Sequence, residues 1–268
     1  MMADKMVPSW LTGTWIRSYI RRSSKESSGN NKDVDDDQHF GKTDTSISVR
    51  YIQTPWAFVD IRSKSTILSD DDDKEEEEGR EKPMAFAGVT SVSYASDKDE
   101  DNNINPLVKW HSCIDRDEPT IDCLSRWREA EKGTPRATQD VGYFKDVSKE
   151  VNIANCYHET DPDNTYLEQW VKIDDGKERF LAAREMRGKK LLVVAGEYFG
   201  YANQEDNVYV SGRIKNSRYW NGENWIIETS VNDDSLVGKV LEIKGTFGAL
   251  NGSTLPIELV WDTFDLHS

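Results

Sequence analysis

The chain of 268 residues carries 34 basic and 49 acidic residues, which gives a formal net charge of −15 at pH 7. A surface of this sign repels phosphate groups, which argues against nucleic acids and anionic membranes as partners. No apolar stretch approaches the roughly 18–20 residues that span a bilayer, and residues 1–9 lack the apolar core of a signal peptide. The length allows one large domain or two small ones.

The three cysteines, Cys113, Cys123 and Cys156, are odd in number and widely spaced. This pattern fits neither a disulfide framework nor a zinc motif, and none of the four histidines is paired at the spacing of zinc ligands. We therefore expect a reduced protein of the cytoplasm that has no metal and no other cofactor.

Three segments, at about 23–37, 69–82 and 96–105, are rich in acidic and small polar residues. Runs of like charge repel one another and bury little apolar surface. We expect disordered insertions at these positions, within a single domain that spans residues 1–268.

Between the acidic segments lie short runs rich in Val, Ile, Tyr, Phe and Trp, which are typical of β-strands. In chain order the predicted strands are Ile47–Ile52, Trp56–Arg62, Phe86–Tyr94, Leu107–Ile114, Tyr166–Ile173, Leu191–Tyr198, Val208–Ile214, Trp225–Ile227, Val240–Ile243 and Leu255–Trp261. Leu124–Lys132 could form a short helix, and Lys177–Arg187 a helix or a strand. Asn221-Gly222 and Asn251-Gly252 are turn signals.

Many short strands predict a mainly β fold, either an antiparallel β-barrel or a sandwich. A barrel is favoured because closure removes exposed strand edges. The chain could form one elaborated barrel or two small barrels.

Leu11-Thr12-Gly13-Thr14-Trp15 resembles the Gly-x-Trp sequence that opens the first strand of lipocalins and related calycin barrels. Further segments are similar to an uncharacterised set of lipocalin-like proteins: Gln53-Thr54, Asp60-Ile61-Arg62, Phe86-Ala87-Gly88, Trp110 and Tyr166-Leu167-Glu168-Gln169-Trp170. The resemblance implies a calycin-like barrel, with Trp15 packed across its closed end and a possible cavity. It implies no particular chemistry.

Two predicted strands place charged residues between aromatic ones. In a regular strand Asp60 and Arg62 share a face with Trp56 and Phe58, while Val59 and its neighbours face the other way. Either this face points inward and Arg62 anchors a polar ligand group, or the charges face solvent and the small aliphatic residues point inward.

Tyr166, Glu168 and Trp170 repeat the pattern, and Trp110 lies in another predicted strand. Pockets for small molecules combine an apolar wall with a few placed polar groups. The predicted ligand-binding residues are Trp56, Phe58, Asp60, Arg62, Trp110, Tyr166, Glu168 and Trp170.

No catalytic residue is assigned. His111 could act as a base beside Asp115, and Cys113 shares its strand face, but no protease-type signature accompanies them. Gly196 and Gly200 lie in an aromatic run without a phosphate-loop ending, which favours a bend or bulge in a barrel strand.

The expected function is binding of a small apolar or amphipathic molecule inside the barrel. One alternative is an enzyme that uses the same cavity for acid–base chemistry, as an isomerase, lyase or hydrolase. Another is an acidic interaction or scaffold protein, which a filled interior would favour. The sequence predicts no oligomeric state and does not decide which strand face is interior.

Overall fold

The computed structural model describes residues 7–23, 40–64, 82–94, 105–134, 140–145, 152–159, 165–176, 179–215, 225–241, 243 and 247–249. The predicted acidic insertions lie almost wholly outside these ranges, as do Leu255–Trp261 and both Asn-Gly turn signals. Within the described ranges, no helix has the length and apolarity needed to cross a membrane.

Strands from the first two thirds of the chain form a closed antiparallel barrel. They are β1 (Gly13–Ser23), β2 (Phe40–Asp44), β3 (Ile47–Gln53), β4 (Phe58–Lys64), β5 (Met84–Tyr94), β6 (Pro106–Asp115), β7 (Asp140–Lys145), β8 (Ile153–Glu159) and β9 (Thr165–Asp174). From β3 to β9 each strand pairs with the next, and β1 pairs with both β3 and β9. Because β2 and β3 pair with successive parts of β1, the wall has eight positions. The predicted barrel is confirmed.

The rest of the chain forms a second, six-stranded antiparallel sheet. Its strands are β10 (Phe180–Glu185), β11 (Lys190–Ala195), β12 (Tyr198–Asn203), β13 (Val208–Ile214), β14 (Trp225–Ser230) and β15 (Phe247–Ala249), in the spatial order β14-β13-β12-β11-β10-β15. Strands β11 and β12 pack on the outside of β3 and β4. Within the described residues the protein therefore has one barrel and a covering sheet, not two barrels.

The covering sheet explains why β4 is buried on both faces. Phe58 belongs to the apolar cluster inside the barrel. Val59 and Ile61, on the opposite face, pack in the cluster between barrel and sheet. A strand covered on both sides needs no polar face, so the small aliphatic residues face outward and are still buried.

One predicted strand extends past the end of the observed strand into a tight turn. Leu191–Tyr198 was expected to be continuous, but β11 ends at Ala195 and β12 begins at Tyr198. Gly196 has a φ of +63°, which favours glycine and allows this tight turn. At Gly200 a Cβ atom would lie 2.9 Å from the Cβ of Val59, so its glycine permits close approach of β12 to β4. Neither glycine marks a bend in the barrel wall.

The remaining predictions have mixed outcomes. The short helix is confirmed as α1 (Cys123–Glu131), whose N-cap Asp122 accepts a hydrogen bond from the Ser125 amide. The ambiguous segment 177–187 contains strand β10. Val240 makes only an isolated bridge to Ile226. Strands β2, β7, β8 and β15 were not predicted, nor was β12 beyond its first residue, Tyr198. The single-domain extent stays a prediction.

The segment that precedes β1 closes one end of the barrel, hereafter the capped end. Trp10 and Leu11 belong to the interior apolar cluster. The Trp10 indole N–H donates to the Tyr94 hydroxyl at 3.4 Å, and Trp15 donates to the Leu11 carbonyl at 2.9 Å. Trp15 therefore lies at a closed end, as the resemblance implies.

Candidate functional site

The barrel interior holds a network of charged side chains beside its aromatic residues. We name it the interior cluster. It comprises Arg17 of β1, Asp60 and Arg62 of β4, Asp140 of β7, His158 of β8, and Tyr166 and Glu168 of β9.

Glu168 is the centre of the interior cluster. Its carboxylate accepts hydrogen bonds from Arg17 Nη1 at 2.7 Å and from Trp170 Nε1 at 3.2 Å. The side chains of Arg17 and Glu168 are each only 1% exposed. Burial alone raises the pKa of Glu168, but Arg17 and the hydrogen bond with His158 hold that pKa well below its usual 4.5. Glu168 is therefore a buried, ionised carboxylate.

His158 lies between two carboxylates. Its Nδ1 is 3.0 Å from Asp140 Oδ1, and its Nε2 is 3.1 Å from Glu168 Oε2. Both ring nitrogens must donate to satisfy this geometry, so the imidazole is protonated. Burial alone lowers the pKa of His158, but the Cys156 sulfur and the Asp140 carboxylate beside the ring raise it well above 6.5.

The position of the His158 ring is fixed on both sides. It stacks on Tyr166, with ring centroids 4.2 Å apart, and the Tyr166 hydroxyl donates to Asp140 Oδ2 at 3.0 Å. On β7, a Cβ atom at Gly142 would lie 2.5 Å from Cys156 Sγ and 3.0 Å from the His158 ring. Glycine at this position thus provides the space that the histidine occupies.

Asp60 and Arg62 form the second ion pair of the interior cluster. Arg62 Nη2 donates to Asp60 Oδ2 at 2.9 Å, and Arg62 Nη1 lies 4.0 Å from Glu168 Oε1. Burial raises the pKa of Asp60, and Arg62 opposes this shift. The pair thereby connects β4 to the network on β9.

The space left inside the barrel is small. It measures about 20 Å³ and is bordered by Asp60, Arg62, Trp110, Glu168 and Trp170 among others. A space of this size holds roughly one water molecule, whereas sites for small molecules commonly measure about 300–1,000 Å³. The interior is therefore filled by its own side chains.

Most of the predicted ligand-binding residues do meet in the interior. Five of them border its space, as named above, while Phe58 packs in the interior apolar cluster and Tyr166 lies beside His158. Trp56 does not: it lies in the turn before β4 and packs against the cluster between barrel and sheet. Whether these residues bind a ligand stays a prediction.

Sequence reasoning missed Arg17, Asp140 and His158. Arg17 carried a usable signal, since it is two residues from Trp15 and so shares its strand face. Asp140 and His158 belong to β7 and β8, which were not predicted as strands.

The interpretation of His111 as a base stays a prediction. His111 Nε2 lies 2.8 Å from Ser91 Oγ. Asp115 accepts hydrogen bonds from Ser112 Oγ at 3.4 Å and from the Asp117 amide at 2.9 Å. The Cys113 thiol lies 3.9 Å from the backbone carbonyl of His111 and packs in the cluster between barrel and sheet.

His158 and Glu168 give stability an expected pH dependence. Because the folded pKa of His158 is raised, its contribution is complete below about pH 6.5 and is lost as pH rises through the folded pKa. The depressed pKa of Glu168 acts oppositely, and its contribution is lost as pH falls below 4.5. The raised pKa of Asp60 partly offsets that acid loss.

The free energy of unfolding is measured by urea titration at pH 6 and at pH 9. We expect its decrease from pH 6 to pH 9 to be larger in the wild type than in His158→Gln. Each unit by which a pKa is raised is worth roughly 1.4 kcal/mol. Asn155→Ala, which alters the outer face of the same strand and removes no titratable group, is the control and should keep the wild-type slope. Equal slopes in wild type and His158→Gln would contradict a charged His158.

A second, larger space lies at the capped end, between the barrel and the covering sheet. We name it the groove. It measures about 810 Å³, within the range of sites for small molecules. It is lined by Asn152, Lys172, Ile173, Asp174, Asp175, Arg179, Gly196, Glu197, Tyr198 and Arg213.

Tyr198 is the buried aromatic residue of the groove wall. The Arg213 guanidinium donates to the Tyr198 hydroxyl at 2.6 Å and lies 5.0 Å from the ring centroid. Arg50 also packs on this ring, at 5.4 Å, and pairs with Glu228 at 2.8 Å. Tyr198 is 7% exposed, so these contacts fix the position of Arg213.

Fold and site together define a protein with a closed eight-stranded antiparallel barrel, an interior filled with charged and aromatic side chains, and a polar groove outside the barrel. No family model matches the chain, and no curated protein matches it. A crystal structure of the uncharacterized protein YLR301w from Saccharomyces cerevisiae is similar, with a TM-score of 0.48 and 9% sequence identity over 89% of this chain and 97% of that chain. Similarity at this level gives no information about ligand or activity.

Proposed function

We propose that the protein binds a small polar molecule in the groove. The observation that carries this proposal is the contrast in size between the two spaces: about 810 Å³ in the groove against about 20 Å³ inside the barrel. The groove also combines an aromatic ring and Ile173 with several charged side chains. Its polarity favours a more hydrophilic ligand than the apolar or amphipathic one expected from sequence.

The two alternatives have less support. Titratable groups do converge inside the barrel, as an enzyme requires, but both nitrogens of His158 are already engaged by Asp140 and Glu168. The filled interior favours an interaction protein, yet the described surface nominates no particular partner.

Two further points belong to the proposal. A lipocalin-like type of barrel is supported by the closed antiparallel sheet and by Trp15 at its capped end. A cytoplasmic location is supported by the reduced, buried thiols of Cys113, Cys123 and Cys156.

Filling the groove tests the proposal. Small polar metabolites are screened by saturation-transfer NMR against the wild type and against Asn152→Trp, which adds a bulky side chain at an exposed position of the groove wall. We expect the variant to weaken binding of any hit at least tenfold by steric exclusion. Asn155→Trp adds the same side chain to the outer wall on β8, where Asn155 meets Gln169, and should leave binding unchanged.

Two results would contradict the proposal that the groove binds a ligand. A hit that binds both variants equally well places the ligand elsewhere. A screen without any hit removes the proposed function.

A further inference from the structure

The geometry points to a single carboxylate on the bound molecule, held by the cations of the groove wall. This inference rests on the proposed function and deepens it, because it names the class of ligand: a small polar monocarboxylate.

The first observation concerns Lys172. Its ammonium lies 2.6 Å from the Trp10 carbonyl and 4.6 Å from the centroid of the Trp15 ring. An ammonium has three N–H donors. Among the described residues, the Lys172 ammonium donates one hydrogen bond, to the Trp10 carbonyl. Donors remain for a ligand oxygen. Burial lowers the pKa of Lys172 to about 8, with Asp175 opposing, and an anion nearby would stabilise the charged form.

The second observation concerns Arg213. Its Nη2 donates to Tyr198, and its Nε lies 3.8 Å from Glu228 Oε1. The side chain is 49% exposed, so part of the guanidinium faces the open space. A guanidinium held in place presents a planar fork that matches a carboxylate.

Asp174, which lies beside the β11–β12 turn, already has hydrogen-bond donors for both carboxylate oxygens. Asp174 accepts from the Gly176 amide at 2.8 Å through Oδ1 and from the Glu197 amide at 2.9 Å through Oδ2. Its carboxylate therefore organises the wall, while Lys172 and Arg213 keep donors to offer. Donors on two positioned cations favour a ligand group that carries negative charge.

The exposed carboxylates of Asp175 and Glu197 limit the charge of the ligand. A second negative charge in the groove would meet their repulsion. Hydroxyl groups of the ligand would instead donate hydrogen bonds to these carboxylates. One carboxylate on a polar body satisfies both sets of residues.

The test uses four matched six-carbon probes that differ in charge: gluconate, glucarate, glucosamine and glucose. Affinities are measured by isothermal titration calorimetry. We expect gluconate to bind at least tenfold more tightly than glucose and more tightly than glucarate or glucosamine. Arg213→Gln and Lys172→Gln should each remove most of the preference for gluconate over glucose. Lys215→Gln, which removes an exposed charge just beyond β13 and outside the groove wall, should retain it.

The failure of this inference is distinguishable from failure of the proposed function. If Asn152→Trp abolishes binding of the screening hits but gluconate is not preferred, the groove remains the binding site and the inferred carboxylate recognition is wrong. The same holds if gluconate is preferred but neither cation variant changes that preference. If no small molecule binds in the screen or in calorimetry, both proposals are wrong.

Discussion

Replacing Glu168 with alanine is expected to lower the free energy of unfolding by about 3–5 kcal/mol, the usual cost of removing one partner from a buried ion pair. The loss arises because Arg17 and His158 keep their charges in an interior shielded from bulk solvent after their common carboxylate is gone. Arg17 has no route to solvent at 1% side-chain exposure. Urea titration at pH 6, where His158 is fully charged, measures the effect.

The matched control for Glu168→Ala is an ion pair of the same length on the surface. Arg126 Nη2 lies 2.8 Å from Glu118 Oε2, and the Glu118 side chain is 55% exposed. Exposed pairs contribute about 0–1 kcal/mol, so Glu118→Ala should change stability little. Similar losses in both variants would show that the ion pairs of the interior cluster are no better shielded from solvent than an exposed pair.

Replacing Trp127 with alanine is expected to cost about 3–5 kcal/mol as well, the usual range for deleting a buried aromatic side chain. Trp127 is fully buried and packs in the cluster between barrel and sheet. Its indole N–H donates to the Gly188 carbonyl at 2.9 Å, and the Arg184 guanidinium lies 5.2 Å from its ring. The substitution would leave a cavity where α1 joins the two layers.

Urea titration of Trp127→Ala is best compared with Met186→Ala. Met186 precedes Gly188 in the same turn but is 78% exposed, and surface substitutions usually change stability by under about 0.5 kcal/mol. Trp127→Phe, which restores part of the apolar volume, should recover part of the loss. A loss under about 1 kcal/mol for Trp127→Ala would mean that the helix adds little to the joining of barrel and sheet.

Much of the barrel could be predicted from local sequence. Ile47, Val49 and Tyr51 alternate with Ser48 and Arg50, and the first three do pack inside the barrel. The match is good where one strand face is apolar and the other polar, because the period of two is then visible in the sequence.

The orientation of β4 was not predictable, since the faces of Phe58 and Val59 are both buried. The covering sheet buries the outer face of β4, and its strands β11 and β12 lie more than a hundred residues further along the chain. Trp56 was misplaced because the strand was expected to begin two residues before Phe58.

The site was only partly predictable for a related reason. Asp60, Arg62 and Glu168 stood out as charges between aromatic residues, and their meeting in one network follows from barrel closure. His158 gave no such signal, because its partners Asp140 and Glu168 lie on other strands. The groove depends on how the β11–β12 turn meets the end of β9, which no local pattern encodes.

Barrel closure between β1 and β9 also has a consequence for the order of folding. Arg17 and Glu168 are separated by 151 residues along the chain, so the seam cannot form on the ribosome until most of the protein has been made. Neighbouring strands from β3 to β9 can pair as successive hairpins, whereas β1 keeps an open edge during synthesis. Such late, long-range pairing slows folding and exposes a strand edge to other chains. The charges of Arg17, Arg21 and Arg22 on β1 are of the kind that discourages premature association at that edge.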